Sequence, residues 1–231
     1  IRVMILDKRA DLGHGDVKKL LFSLSVPTIT SQIVNMLYNL VDRVFIGHMQ
    51  PAETVGKLAL TGVGVCLPII MVISAFASLM AIGGAPRASI AEGAGESEKS
   101  ERIMGNCLTM LVITALVLTV LFESFAEPLL LMFGASENTI GYALDYMRIY
   151  ALGTIFVQLT LGMNAYITAQ GFATVSMKTV LIGALLNTAL DPLFIFVLGL
   201  GVRGAALATV ISQAVSAVWG MTFLTGKKTR W

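Results

Sequence analysis

Five stretches of this chain, 20–41, 58–86, 103–122, 149–177 and 204–226, contain no Asp, Glu, Lys or Arg, and a sixth, 179–202, contains only Asp191. A helix needs about 20 apolar residues to cross the hydrocarbon core of a bilayer, so every one of these runs is long enough. Inside lipid, each backbone N–H and C=O must be satisfied within its own segment, which makes helices the natural form for such runs. Composition agrees, with 13% charged residues against about 25% in soluble domains. The expected fold class is therefore an all-α integral membrane protein. Six transmembrane helices are predicted over 20–45, 58–85, 103–122, 146–169, 179–200 and 204–226, with a polar arm over 1–16 before the membrane lobe at 17–226.

Loop charge sets orientation, because Lys and Arg collect on the cytoplasmic side. One side would carry Arg2, Lys8, Arg9, Lys18, Lys19, Arg87, Lys99, Arg102, Lys178, Lys227, Lys228 and Arg230. The other side would carry only Lys57 and Arg203, with Arg43 and Arg148 near span ends. Both ends of the segment are accordingly expected in the cytoplasm, in a multi-pass protein of the plasma (cell inner) membrane with the lipid bilayer as its solvent.

The basic residues are spread over loops rather than clustered, so no nucleic-acid surface is expected. Cys66 and Cys107 fall in or at the start of apolar runs and read as small buried hydrophobes. No zinc-type spacing, phosphate loop or nucleophile–base set is present, and the chain reads as a non-enzyme without cofactors. Asp16 and Ser136 are candidate helix N-caps, and His14 and His48 lie in polar edge segments.

A carboxylate inside a span is costly, by about 2.5–3.5 kcal/mol at the helix centre on the lowest scales, and such groups usually handle ions or protons. Asn187 lies one turn before Asp191 on the same face, and Pro192 withholds a backbone donor just after it. A second acid, Asp42, reads either as a boundary residue paired with Arg43 or as another embedded carboxylate. With both ends inside, Asp42, Asp191 and Thr209 fall at similar depth in the outer half of the bilayer. Two carboxylates, an amide and a hydroxyl in one layer suit a hard monovalent cation or shared protons. Pro27, early in the first span, and Pro192 are candidate hinges.

Several phrases together resemble the N-terminal half of a multidrug and toxic compound extrusion (MATE) transporter, in its DNA-damage-inducible F-like branch. They are Leu24-Ser-Val-Pro27, Asn35-Met-Leu-Tyr38-Asn39-Leu-Val-Asp42, Leu186-Asn187-Thr-Ala-Leu-Asp191-Pro192 and Gly201-Val-Arg-Gly204-Ala-Ala-Leu-Ala-Thr209. The resemblance implies the six-helix N-lobe of a twelve-helix protein that exports cationic or amphipathic drugs in exchange for protons or sodium ions. It implies that Asp42, Asn187, Asp191 and Thr209 bind the proton or, in a sodium-coupled protein, the metal ion. It implies a bending role for Pro27 and a substrate cavity touched by Tyr38, Tyr146 and Asn164. Residues 227–231 would begin the cytoplasmic linker to a C-terminal lobe that this sequence lacks, so the chain is expected to be a piece of a full transporter or a half-length product needing a partner lobe. Two other readings remain: a flippase for lipid-linked substrates built on the same plan, and a non-transporting membrane subunit.

Overall fold

The computed structural model describes residues 17–226, apart from the side chain of Glu53, and all regular elements there are helical. The expected arm over 1–16, the Asp16 cap, His14 and the linker at 227–231 lie outside the described residues. Helix α1 runs unbroken over Val17–Gly47. A short π-helical turn, Ala52–Gly56, leads into α2 (Lys57–Val65) and α3 (Leu67–Gly93), which meet at Cys66 just before Pro68. Then come α4 (Ser97–Ser124), the short α5 (Ala126–Met132), α6 (Ile140–Leu152) and α7 (Thr154–Ala169). Helix α8 (Ala173–Pro192) continues into a π-helical turn, Leu193–Val197, and α9 (Gly201–Leu224) closes the lobe.

Five of these segments are long and apolar enough to cross a membrane, and the pair α6/α7 makes a sixth broken span bent by 57°. The span expected over 146–169 is thus two helices, and the first of them reaches back to Ile140 and takes in Asp145 and Arg148. The bend has a packing cause. Gly153, the residue between α6 and α7, abuts Val210 of α9 so closely that a Cβ there would overlap it. The Thr119 hydroxyl of α4 donates to the Ala151 carbonyl at 2.9 Å, tying the bend to a neighbouring helix. Ser136 is likewise not the cap of α6: Thr139 precedes the helix, and its hydroxyl accepts the Ser136 N–H at 2.9 Å.

Helix α1 lies mainly along α8, while α9 packs centrally against α8, α7 and α6. Small residues on α9 (Gly204, Ala205, Ala206, Ala208) are buried, and this allows the close approach that replaces hydrophobic drive between helices in lipid. One apolar core forms around Ile46, Val63, Ile69, Met147 and Tyr150, and another around Leu111, Met163, Tyr166, Ile167 and Leu224. An ion pair, Arg203 to Asp145 at 2.8 Å, joins α9 to α6 at an edge where both side chains stay in contact with solvent. Exposed pairs contribute about 0–1 kcal/mol, so Arg203→Gln should barely move the thermal unfolding midpoint of the purified chain. A large drop would make this bond a structural clamp instead.

Candidate cation site and cavity

Three of the expected site residues are joined by hydrogen bonds between α8 and α9, and the fourth, Asp42 of α1, lies within reach of the Asp191 charge. Asn187, one turn before Asp191, donates its amide Nδ2 to Asp191 Oδ1 at 3.2 Å and to Thr209 Oγ1 at 3.4 Å. Asp191 is 0% exposed and Asn187 1%. Asp42 of α1 is buried as well, and its carboxylate is close enough to Asp191 for the two charges to interact. Arg43 acts on Asp42 only through its field: among the described residues it forms no ion pair with it. The reading of Asp42 as a boundary acid in a salt bridge does not describe this geometry.

With both amide N–H groups of Asn187 committed, its Oδ1 faces no donor. Asp42 Oδ1 and Asp191 Oδ2 are in the same position, buried and without a hydrogen-bond partner among the described residues. Each buried unsatisfied acceptor costs about 1–3 kcal/mol, and more when charged. Three such oxygens in one layer, beside two acids whose charges oppose each other, call for a positive partner. A proton on a carboxyl answers that demand, and so does a hard cation held by oxygen ligands. Among the described residues there is no group of three or more His, Cys, Asp or Glu side chains that could hold a metal ion.

The two expected hinge prolines differ in their surroundings. Immediately after Asp191–Pro192 the helix widens into the π-helical turn Leu193–Val197. Around Pro27, three hydroxyls bond back to carbonyls one turn earlier: Thr28 to Leu24 at 2.7 Å, Thr30 to Val26 at 2.8 Å and Ser31 to Pro27 at 2.8 Å. Such back-bonding favours bending of a helix, although α1 remains one helix here.

Beside the four residues opens a cavity of about 540 Å³ between α1, α3, α7, α8 and α9. Tyr38 and Asn164 line it, as do Asn187 and Thr209, but Asp42 and Asp191 do not. The acids therefore lie behind a neutral screen formed by the amide and the hydroxyl. Tyr146, expected in the cavity wall, is instead buried in the apolar core, with its ring stacked on Tyr150 at 5.9 Å. Its hydroxyl interacts with Thr209 and lies in the field of Asp42, so it belongs to the acid layer rather than the cavity. Sequence reasoning missed Gln213 and Ser212, which line the cavity from α9 with side-chain oxygens that lack donors. Their spacing from Thr209, three and four residues on, places all three on one helix face, and that was the available signal.

A broken-helix membrane lobe with buried acids next to a cavity defines the class: a lobe of a membrane transporter. Residues 27–193 match the MatE family model, and the chain belongs to that family of multidrug and toxic compound extrusion transporters. It is 29% identical over 214 residues to the multidrug export protein MepA of Staphylococcus haemolyticus, covering 93% of this chain and 46% of that protein. Among solved structures it is similar to a MATE transporter in a bent conformation, with TM-score 0.85, 28% identity and coverage of 94% of this chain and 47% of the other. The straight conformation matches with TM-score 0.84, 28% identity and coverage of 94% and 47%. The chain thus spans about half the length of the relatives it matches and corresponds to the N-terminal half of a twelve-helix MATE protein. These relatives do not assign it to the DNA-damage-inducible branch.

Proposed function

We propose that this chain is the N-lobe of an ion-coupled multidrug antiporter, working with a C-terminal lobe to export cationic or amphipathic compounds across the plasma membrane. The observation that carries the reading is the layer of donorless buried acceptors, Asp42 Oδ1, Asn187 Oδ1 and Asp191 Oδ2, next to a transport-sized cavity. Protons or sodium ions entering from outside load this layer through Asn187 and Thr209. Loading removes the repulsion between the two acids, and α1 and α8, which pack along each other, move about Pro27 and Pro192. Both ends of the segment face the cytoplasm in this reading, which the distribution of Lys and Arg supports. No protein cofactor takes part; the ion is a substrate.

The cavity wall also favours this reading over a flippase for lipid-linked pyrophosphates. None of its lining residues is Lys, Arg or His, whereas a pyrophosphate headgroup calls for cations. A complete transporter carrying this lobe, reconstituted in vesicles, should export a dye cation when a sodium gradient or a pH gradient is imposed alone. Export that follows neither gradient contradicts the proposal, and a dependence on one of them names the coupling ion.

A further inference from the structure

Away from the acid layer and its cavity, a second groove of about 1000 Å³ runs between α3 and α4 at the end where the 94–96 loop joins them. The Ser100 hydroxyl donates to the Ala88 carbonyl at 2.9 Å and fixes the register of the two antiparallel helices. That register ranks the polar groups by depth. Lys99 and Glu96, paired at 2.7 Å, stand at the mouth. Arg87 follows, about 9 Å in from the end of α3 at Gly93, and Asn106 lies about 14 Å in from the start of α4. Ile82 lies level with Asn106 in this register, and deeper still the lining is apolar, with Met80 and the exposed Leu79.

One feature separates the groove from a plain lipid-facing surface. Arg87 forms no ion pair or hydrogen bond among the described residues, so the groove carries a net positive charge from Arg87 and the Lys99–Glu96 pair. Beside Arg87 the groove is open: Gly83 is exposed, and a Cβ there would meet nothing within 4 Å. A cation at the mouth, a neutral amide donor a few ångströms deeper and an apolar channel beyond reproduce, in order, a phosphate, an ester carbonyl and an acyl chain. Basic pockets between transmembrane helices at the membrane surface bind anionic lipid headgroups on the same physical grounds.

We propose that the α3–α4 groove is a binding site for a phospholipid with an anionic headgroup, from the leaflet that meets the 94–96 loop. Arg87 and Lys99 take the phosphate region, Asn106 the ester oxygens, and the first acyl chain runs from beside Gly83 toward Leu79. Ile82 and Pro86 also line the central cavity, so the chain of the bound lipid would rest on the back of the cavity wall.

The test is native mass spectrometry of the purified chain in neutral detergent, with phosphatidylglycerol or phosphatidylcholine of matched acyl chains. Phosphatidylglycerol should be retained about fivefold better, and Arg87→Gln should erase that preference. Gly83→Leu, which fills the groove without a clash, should lower retention of both lipids. Arg102→Gln, outside the groove and paired with Glu98, should change nothing. Equal retention of the two lipids by the unaltered chain, or a preference that survives Arg87→Gln, overturns the proposal and leaves Arg87 as a cation reaching out to water. Retention of both lipids unchanged in Gly83→Leu overturns the placement of the acyl chain.

Discussion

Asp191→Asn is expected to abolish ion-driven export in a complete transporter carrying this lobe while leaving the protein as stable as before, or more so. The replacement keeps size and shape, and the new amide can still accept from Asn187 Nδ2, now at 3.2 Å from Asp191 Oδ1. What disappears is the ability to carry a negative charge and so to exchange a proton or hold a cation. Stability should hold because an unpaired buried carboxylate is itself destabilising and the amide is not. A gain of about 1 kcal/mol is the expected scale, the usual trade between stability and activity at a functional site. Asp42→Asn should behave alike, and the double variant should be little worse than either single one, since the two acids act as one unit. Vesicle transport beside thermal unfolding of the same preparations checks this. Unchanged transport in either variant would remove that acid from the mechanism.

Gly204→Leu should do the reverse, destroying the fold without touching the chemistry. A Cβ at Gly204 would stand 2.7 Å from both the carbonyl carbon and the oxygen of Phe194. Those are backbone atoms of the π-helical turn behind Asp191, and they cannot rotate aside as a side chain can. Overpacking of this kind costs about 1–3 kcal/mol and sometimes more, and here it would separate α9 from the end of α8. The expected result is a loss of monodisperse protein in gel filtration and a clear fall in unfolding temperature. Gly64→Leu, where a Cβ meets nothing within 4 Å, should stay within about 0.5 kcal/mol of the original. If Gly204→Leu were equally mild, the close approach of α9 to that turn would not be essential to the lobe.

How far the sequence could be read follows from what each signal measures. Uncharged length reports insertion into lipid, so the six apolar segments were visible at once, and the N–x–x–x–D spacing of Asn187 and Asp191 put both on one face. Depth in the bilayer then aligned Asp42 and Thr209 with them. Contact between helices is another matter, because apolar spans look alike on every side to a periodicity argument. Only the folded lobe shows that Asn187 bridges Asp191 and Thr209, and that Asp42 is buried within reach of the Asp191 charge without a salt bridge to Arg43. The break at Gly153 was hidden for a similar reason: glycine is common in membrane helices, and what makes this one a bend is Val210 on another helix. Tyr146 shows the limit most clearly. A polar aromatic residue suits a cavity wall or a buried layer equally well, and Tyr150, one turn further along α6, stacks on its ring.

The central claim is that the layer of Asp42, Asn187, Asp191 and Thr209 exchanges a proton or a sodium ion. Infrared difference spectroscopy of the chain in lipid tests it without needing the second lobe or a drug. The account predicts a carboxyl C=O band that responds to a pH step or to added sodium, and that is lost or altered in both Asp42→Asn and Asp191→Asn. A spectrum whose carboxyl region ignores both stimuli, or that responds in both variants as it does in the unaltered chain, would contradict it.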